Sequence, residues 1–69
     1  MLKRQLGLKI RYFRKQRMLS QEQLAELADY SVDFVSLVER GINGPSIEGL
    51  EKIANALKIQ VRDLFDFED

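Results

Sequence analysis

The side chains equipped for chemistry in this chain are anion binders, and most of them crowd one end. Lys3, Arg4, Lys9, Arg11, Arg14, Lys15 and Arg17 fall within residues 1–19 with no acid among them, a local charge of +7. Such a run can present a basic face to phosphate. Residues 59–69 set Arg62 against Asp63, Asp66, Glu68 and Asp69, a local charge of −3. The formal net charge of zero is therefore an average over a dipolar chain. Gln21 and Ser46 offer a second kind of anion site. Each stands where a helix is expected to begin, and free backbone N–H groups and the helix dipole favour negative charge there. Catalysis is not expected. The chain has no His and no Cys, so it lacks the commonest general base, the usual imidazole ligand and any thiolate nucleophile or metal site. It shows no glycine-rich phosphate loop and no evident carboxylate pair. No metal or cofactor is expected.

These side chains need elements to position them, and hydropathy and capping residues mark five. Leu6, Ile10 and Phe13 recur at helical spacing, predicting a first helix over Leu2–Arg17. Ser20 with Gln23 makes a capping-box pattern before a helix over Gln21–Ala28, with Leu24, Ala25, Leu27 and Ala28 as its apolar stripe. Asp29 and Tyr30 carry a turn, and Ser31 caps a third helix over Val32–Glu39. Phe34, Val35 and Val38 face inward there, leaving Val32, Asp33, Ser36, Leu37 and Arg40 outside. Gly41 supplies a left-handed cap, and residues 42–45 form a loop. Ser46 caps a fourth helix with Ile47, Leu50, Ile53, Ala54 and Leu57 inward. A short fifth helix over Val61–Phe65 follows, with Phe65 plugging the core. The second and third helices, joined by a tight turn with small Ala25 at their contact, make a helix-turn-helix unit. The second helix of such a unit commonly enters the DNA major groove.

At this point the chain resembles a known family. LGLKIRYFRKQRMLSQEQLA, FVSLVERG and GPSIEGLEKIANALKIQVRDLF follow, in order and at the right distances, the landmarks of phage-repressor and Cro-type helix-turn-helix proteins, the XRE family. The resemblance covers nearly the whole chain. It implies an all-α, lambda-repressor-like fold, here a compact five-helix domain spanning residues 1–69. The chain departs from the family where members often carry a helix-ending glycine, since Met18, Asp29 and Lys58 stand there. A positive φ at such sites costs a non-glycine residue about 1 kcal/mol, less for Asp, so Asp29 is tolerable there, whereas Met18 and Lys58 either accept the strain or end their helices differently. Gln60 replaces the usual Ser or Thr before the last helix, so weak capping is expected.

The resemblance also implies roles. Val32, Asp33 and Leu37 occupy base-reading positions, with Ser36 beside them. None is the Arg, Gln or Asn that reads guanine or adenine through two bonds. Val32 and Leu37 suit thymine methyl groups, Asp33 suits the cytosine amino group, and Ser36 suits either base type. Gln21 is the family's phosphate clamp. Ser46, Arg40 and Asn43 are further phosphate candidates, as are Arg11, Lys15 and Arg17 of the first helix; such contacts set register rather than sequence. Arg14 and Glu39 form a structural ion pair in similar proteins, a geometry suited to the planar guanidinium. Repressors of this type dimerise to place two reading helices about 34 Å apart. Leu64, Phe65 and Phe67 offer a dimer contact through the last helix, with the acidic tail kept away from DNA.

The implied function is a sequence-specific regulator of transcription that binds double-stranded DNA. It would be a homodimeric repressor, a small controller protein or an antitoxin-like autorepressor on a near-palindromic operator. The alternative is a protein-interaction module that keeps the fold without reading DNA, an idea motivated by the acidic and aliphatic face of the third helix. No apolar run is long enough to span a bilayer, and the start lacks the apolar stretch of a signal peptide. A cytoplasmic protein with no membrane role is expected.

Overall fold

A computed structural model describes residues 1–67. Four α-helices, α1 (Leu2–Gln16), α2 (Gln21–Ala28), α3 (Val32–Glu39) and α4 (Ile47–Leu57), are followed by a 3-10 helix, Val61–Phe65. The expectation of five α-helices is corrected by that last element. Glu68 and Asp69 of the acidic tail lie outside the described residues.

Serine hydroxyls start three of the helices. Ser20 Oγ accepts from the Gln23 N–H at 3.0 Å, and Gln23 Oε1 accepts from the Ser20 N–H at 2.8 Å, a closed capping box. Ser31 Oγ and Ser46 Oγ accept from the Phe34 and Gly49 amides at 3.1 and 3.0 Å. The N–H of Gln60, where weak capping was expected, donates to Asp63 Oδ2 at 2.9 Å.

All four α-helices end alike. The residue after the turn sends its N–H five residues back: Leu19 to Arg14, Tyr30 to Ala25, Ile42 to Leu37 and Ile59 to Ala54. The hinge residue of this Schellman arrangement is left-handed. Gly41 takes φ 78° without strain, and Met18, Asp29 and Lys58 adopt φ 57°, 63° and 61°. The three departures from the family pattern thus keep the glycine conformation without the glycine. α1 ends one residue earlier than expected, at Gln16.

The core gathers Leu6 and Ile10 of α1, Leu24, Ala25 and Ala28 of α2, Val35 and Val38 of α3, Ile53, Ala54 and Leu57 of α4, and Leu64. Phe13, Phe34 and Leu50 pack against it, half-buried. Three expected core positions are corrected. Leu27 is 60% exposed, because Leu24, Ala25 and Ala28 centre the buried stripe on the other side of α2. Ile47 is 78% exposed, at the first position of α4 and off the Leu50–Ile53–Leu57 line. In the last element Leu64, fully buried, plugs the core, and Phe65 is 38% exposed. Three residues per turn place Leu64 directly above Val61 and rotate Phe65 outward.

Gly7 sets how closely α1 approaches α3. A β-carbon there would sit 2.6 Å from the Glu39 carbonyl oxygen, and nearer still to that of Val38. Only a glycine lets the α1 backbone lie on the last turn of α3. Gly41 is constrained twice, by its φ and by Arg4, whose Cα would lie 2.8 Å from an added β-carbon.

Candidate nucleic-acid interface

Three helices converge on one carboxylate. Glu39, the last residue of α3, is 6% exposed. Arg14 of α1 grips it through Nε to Oε2 at 2.6 Å and Nη2 to Oε1 at 3.1 Å, the forked pairing that guanidinium geometry favours. Arg14 Nη1 also donates to the Leu19 carbonyl at 2.8 Å, which ties the pair to the α1–α2 turn. Gln21, the first residue of α2, donates Nε2 to Glu39 Oε1 at 3.0 Å. Both charges are therefore paired and hydrogen-bonded, which a buried ion needs. Gln21 itself is half-buried.

α3 offers its other side to solvent. Val32 and Asp33 are exposed, and Ser36 and Leu37 are half-buried beside them. Asp33 lies in the first turn of α3, where the helix dipole also stabilises a carboxylate. Behind this face, Phe34 packs on Tyr30 with ring centroids 4.6 Å apart. Arg40 is exposed, its Nε 3.4 Å from the Ser36 carbonyl. Asn43 is exposed, and its backbone N–H is held by the Leu37 carbonyl at 3.3 Å. Ser46 Oγ accepts from Gly49, which leaves its hydroxyl proton to donate outward.

The remaining cations divide. Arg11 and Lys15 are exposed on α1 and carry no protein partner among the described residues. Arg17, expected at phosphate, is engaged elsewhere. Its Nε donates to the Leu57 carbonyl at 2.7 Å and its Nη2 to the Lys58 carbonyl at 3.1 Å. It thus caps the C-terminus of α4, taking the Leu57 and Lys58 carbonyls that lie beyond the Ala54 and Asn55 acceptors of the Schellman turn. Two further cations, at the start of α1, lie against the loop that follows α3. The Lys3 stem runs along Gly44, with Cε 3.6 Å from a β-carbon built there, and Arg4 packs on Gly41. In the sequence both register only as charge, because no local pattern pairs residues 3 and 44.

The dimer candidates are corrected in part. Leu64 is fully buried within its own chain and has no surface to offer. Phe65 and Phe67 form an edge-to-face pair at 6.2 Å, Phe65 exposed and Phe67 half-buried. Among the described residues no helix is long and apolar enough to cross a membrane.

The helix-turn-helix family model matches residues 10–64, which takes in every element from the middle of α1 to the core residue of the 3-10 helix. The control protein C.BamHI of Bacillus amyloliquefaciens is 40% identical over 62 residues, covering 88% of this chain and 76% of that protein. The immunity repressor of Bacillus phage phi105 is 45% identical over 56 residues, 81% of this chain but 39% of the repressor. The chain therefore spans under half of the phage protein's length. Among solved structures, the restriction-modification controller protein C.AhdI of Aeromonas hydrophila superposes with a TM-score of 0.89 at 38% identity, covering 91% of this chain and 96% of its own. The match runs through both helices of the turn and through the helix that buries Glu39, and the chain belongs to the helix-turn-helix family of phage-repressor type.

Proposed function

We propose that this protein regulates transcription in the cytoplasm by binding double-stranded DNA, with α3 in the major groove. The observation that carries this reading is the arrangement around α3: exposed Val32 and Asp33 with half-buried Ser36 and Leu37 beside them, on a helix anchored by the Arg14–Glu39–Gln21 cluster. Gln21 and Ser46, at the starts of α2 and α4, flank α3 in sequence and donate to phosphates. Arg40, Asn43, Arg11 and Lys15 add contacts to the backbone. Val32 and Leu37 pack on thymine methyls and Asp33 accepts from a cytosine amino group. The names of the relatives support a repressor or small controller protein. One domain reads one half-site, so the working form is a homodimer on a near-palindromic operator, with exposed Phe65 and neighbouring Phe67 at the contact.

Selection from a random duplex pool, followed by a salt titration of the enriched sequence, tests the proposal. Enrichment of a near-palindrome with a steep fall of affinity in salt supports a dimeric reader, since each phosphate contact releases counterions. Failure to enrich, with only weak salt-sensitive binding, favours a protein-interaction module.

A further inference from the structure

A phosphate clamp built on glutamine has an orientation problem. The terminal torsion of Gln is broad and roughly two-fold, so its amide can present nitrogen or oxygen with little preference. Only the nitrogen can donate to a phosphate; the oxygen repels it. The amide of Gln21 is not free to choose. Its Nε2 lies 3.0 Å from Glu39 Oε1, and an ionised carboxylate accepts hydrogen bonds without donating any. That contact selects the amide face in which nitrogen points toward α3. The NH2 group carries two hydrogens, so one is held by Glu39 and the second stays available to a ligand.

The carboxylate is at the same time an anion next to a site meant for another anion. Arg14 answers that conflict. Its guanidinium bonds both oxygens of Glu39, leaving a pair with no net charge behind the amide. We infer that Glu39 is a positioning residue for the phosphate contact of Gln21, with Arg14 cancelling the charge that this positioning introduces. The inference deepens the DNA-binding reading above and rests on it. Its structural consequence is registration. The backbone contact belongs to α2 and base reading belongs to α3, and the Glu39–Gln21 bond fixes one against the other across 18 residues of sequence.

The test uses the full chain and the duplex that the wild-type protein enriches from a random pool, with binding followed by fluorescence anisotropy. Gln21→Ala, Glu39→Gln and the double variant are compared well below their melting midpoints. Each single change is expected to weaken binding about tenfold, and the double change about tenfold rather than a hundredfold, because both remove one unit. A hundredfold loss in the double variant overturns the assignment. Because Glu39→Gln disturbs a buried pair, the side-chain amide of Gln21 is also read by NMR in the wild-type protein. Its two Nε2 protons should be more widely separated than those of exposed Gln16 and exchange more slowly with water. On adding duplex, one should shift while the other stays. Signals indistinguishable from those of Gln16 overturn the assignment without reference to DNA. A wild-type protein that enriches no duplex overturns the DNA reading, and this inference with it, before any variant is made.

Discussion

The two ends of α3 are built on different principles. At its C-terminus, Glu39 is buried under Arg14 and Gln21, and the α1 backbone at Gly7 rests against the Val38 and Glu39 carbonyls. At its N-terminus, Val32 and Asp33 are exposed and the local anchors are the Ser31 hydroxyl and the Phe34–Tyr30 stack. One end is fixed by a long-range polar cluster and a close backbone contact, and the other by local contacts together with Val35 and Phe34 packed at the core. The difference teaches how a small domain can vary what it reads. Side chains at the open end can change with little cost to the fold, because the helix axis is set from the far end.

Breaking the buried end should have the largest effect. Glu39→Ala leaves the Arg14 guanidinium buried without its carboxylate, and losing one partner of such a pair costs about 3–5 kcal/mol. In a domain of 69 residues that is a large share of the total stability. Thermal melts should show a strong fall, with DNA binding at low temperature reduced as a second effect. Unchanged melting beside lost binding contradicts a structural role for the pair.

Gly7→Ala comes next. Alanine favours the helix interior by about 1 kcal/mol over glycine. Here the β-carbon meets two backbone carbonyls that cannot rotate away. Overpacking of this kind costs about 1–3 kcal/mol, so the net expectation is destabilisation despite the better helix former. A more stable variant in denaturant titration would show that α1 and α3 are free to separate.

Ser31→Ala tests the open end. Loss of the hydroxyl that accepts from Phe34 should cost about 1 kcal/mol, the usual penalty for an N-cap. Urea midpoints of the Glu39, Gly7 and Ser31 variants should fall in that order of severity. A reversal would place the stronger anchor of α3 at Ser31.

How far this asymmetry is legible in the sequence depends on the range of the interaction. Local chemistry reads well. Ser20, Ser31 and Ser46 announce three helix starts, and the family's glycine pattern marks Met18, Asp29 and Lys58 as helix ends; whether Met18 and Lys58 accept a left-handed conformation or end their helices differently is decided only by the Schellman bonds of the folded chain. Long-range chemistry reads only where the family resemblance supplies it, as for the Arg14–Glu39 pair. Nothing near Gln21 points to Glu39, and nothing near Arg17 points to the carbonyls of Leu57 and Lys58. Gly7 stands inside a helical pattern at a cost of about 1 kcal/mol against alanine, and no local pattern names the backbone it meets. Leu64 and Phe65 show a third limit. Five residues are too few for hydropathy to separate three residues per turn from 3.6, and that difference decides which of the two enters the core.

The smallest expected change in stability, and the sharpest test of the contrast, is Asp33→Asn. The side chains are nearly the same size, the position is exposed, and the change removes only a carboxylate from the first turn of α3. Stability should move by about 0.5 kcal/mol or less. The hydrogen-bonding code changes far more. A carboxylate only accepts and suits the cytosine amino group, whereas an amide donates and accepts and suits the paired edge of adenine. Selection with the variant should move the preferred base at one position of each half-site from cytosine to adenine, a discrimination of about 1–3 kcal/mol, and leave the rest of the site unchanged. If the preference stays and stability drops instead, Asp33 serves the helix dipole rather than the base. The open end of α3 would then be as structural as the closed one.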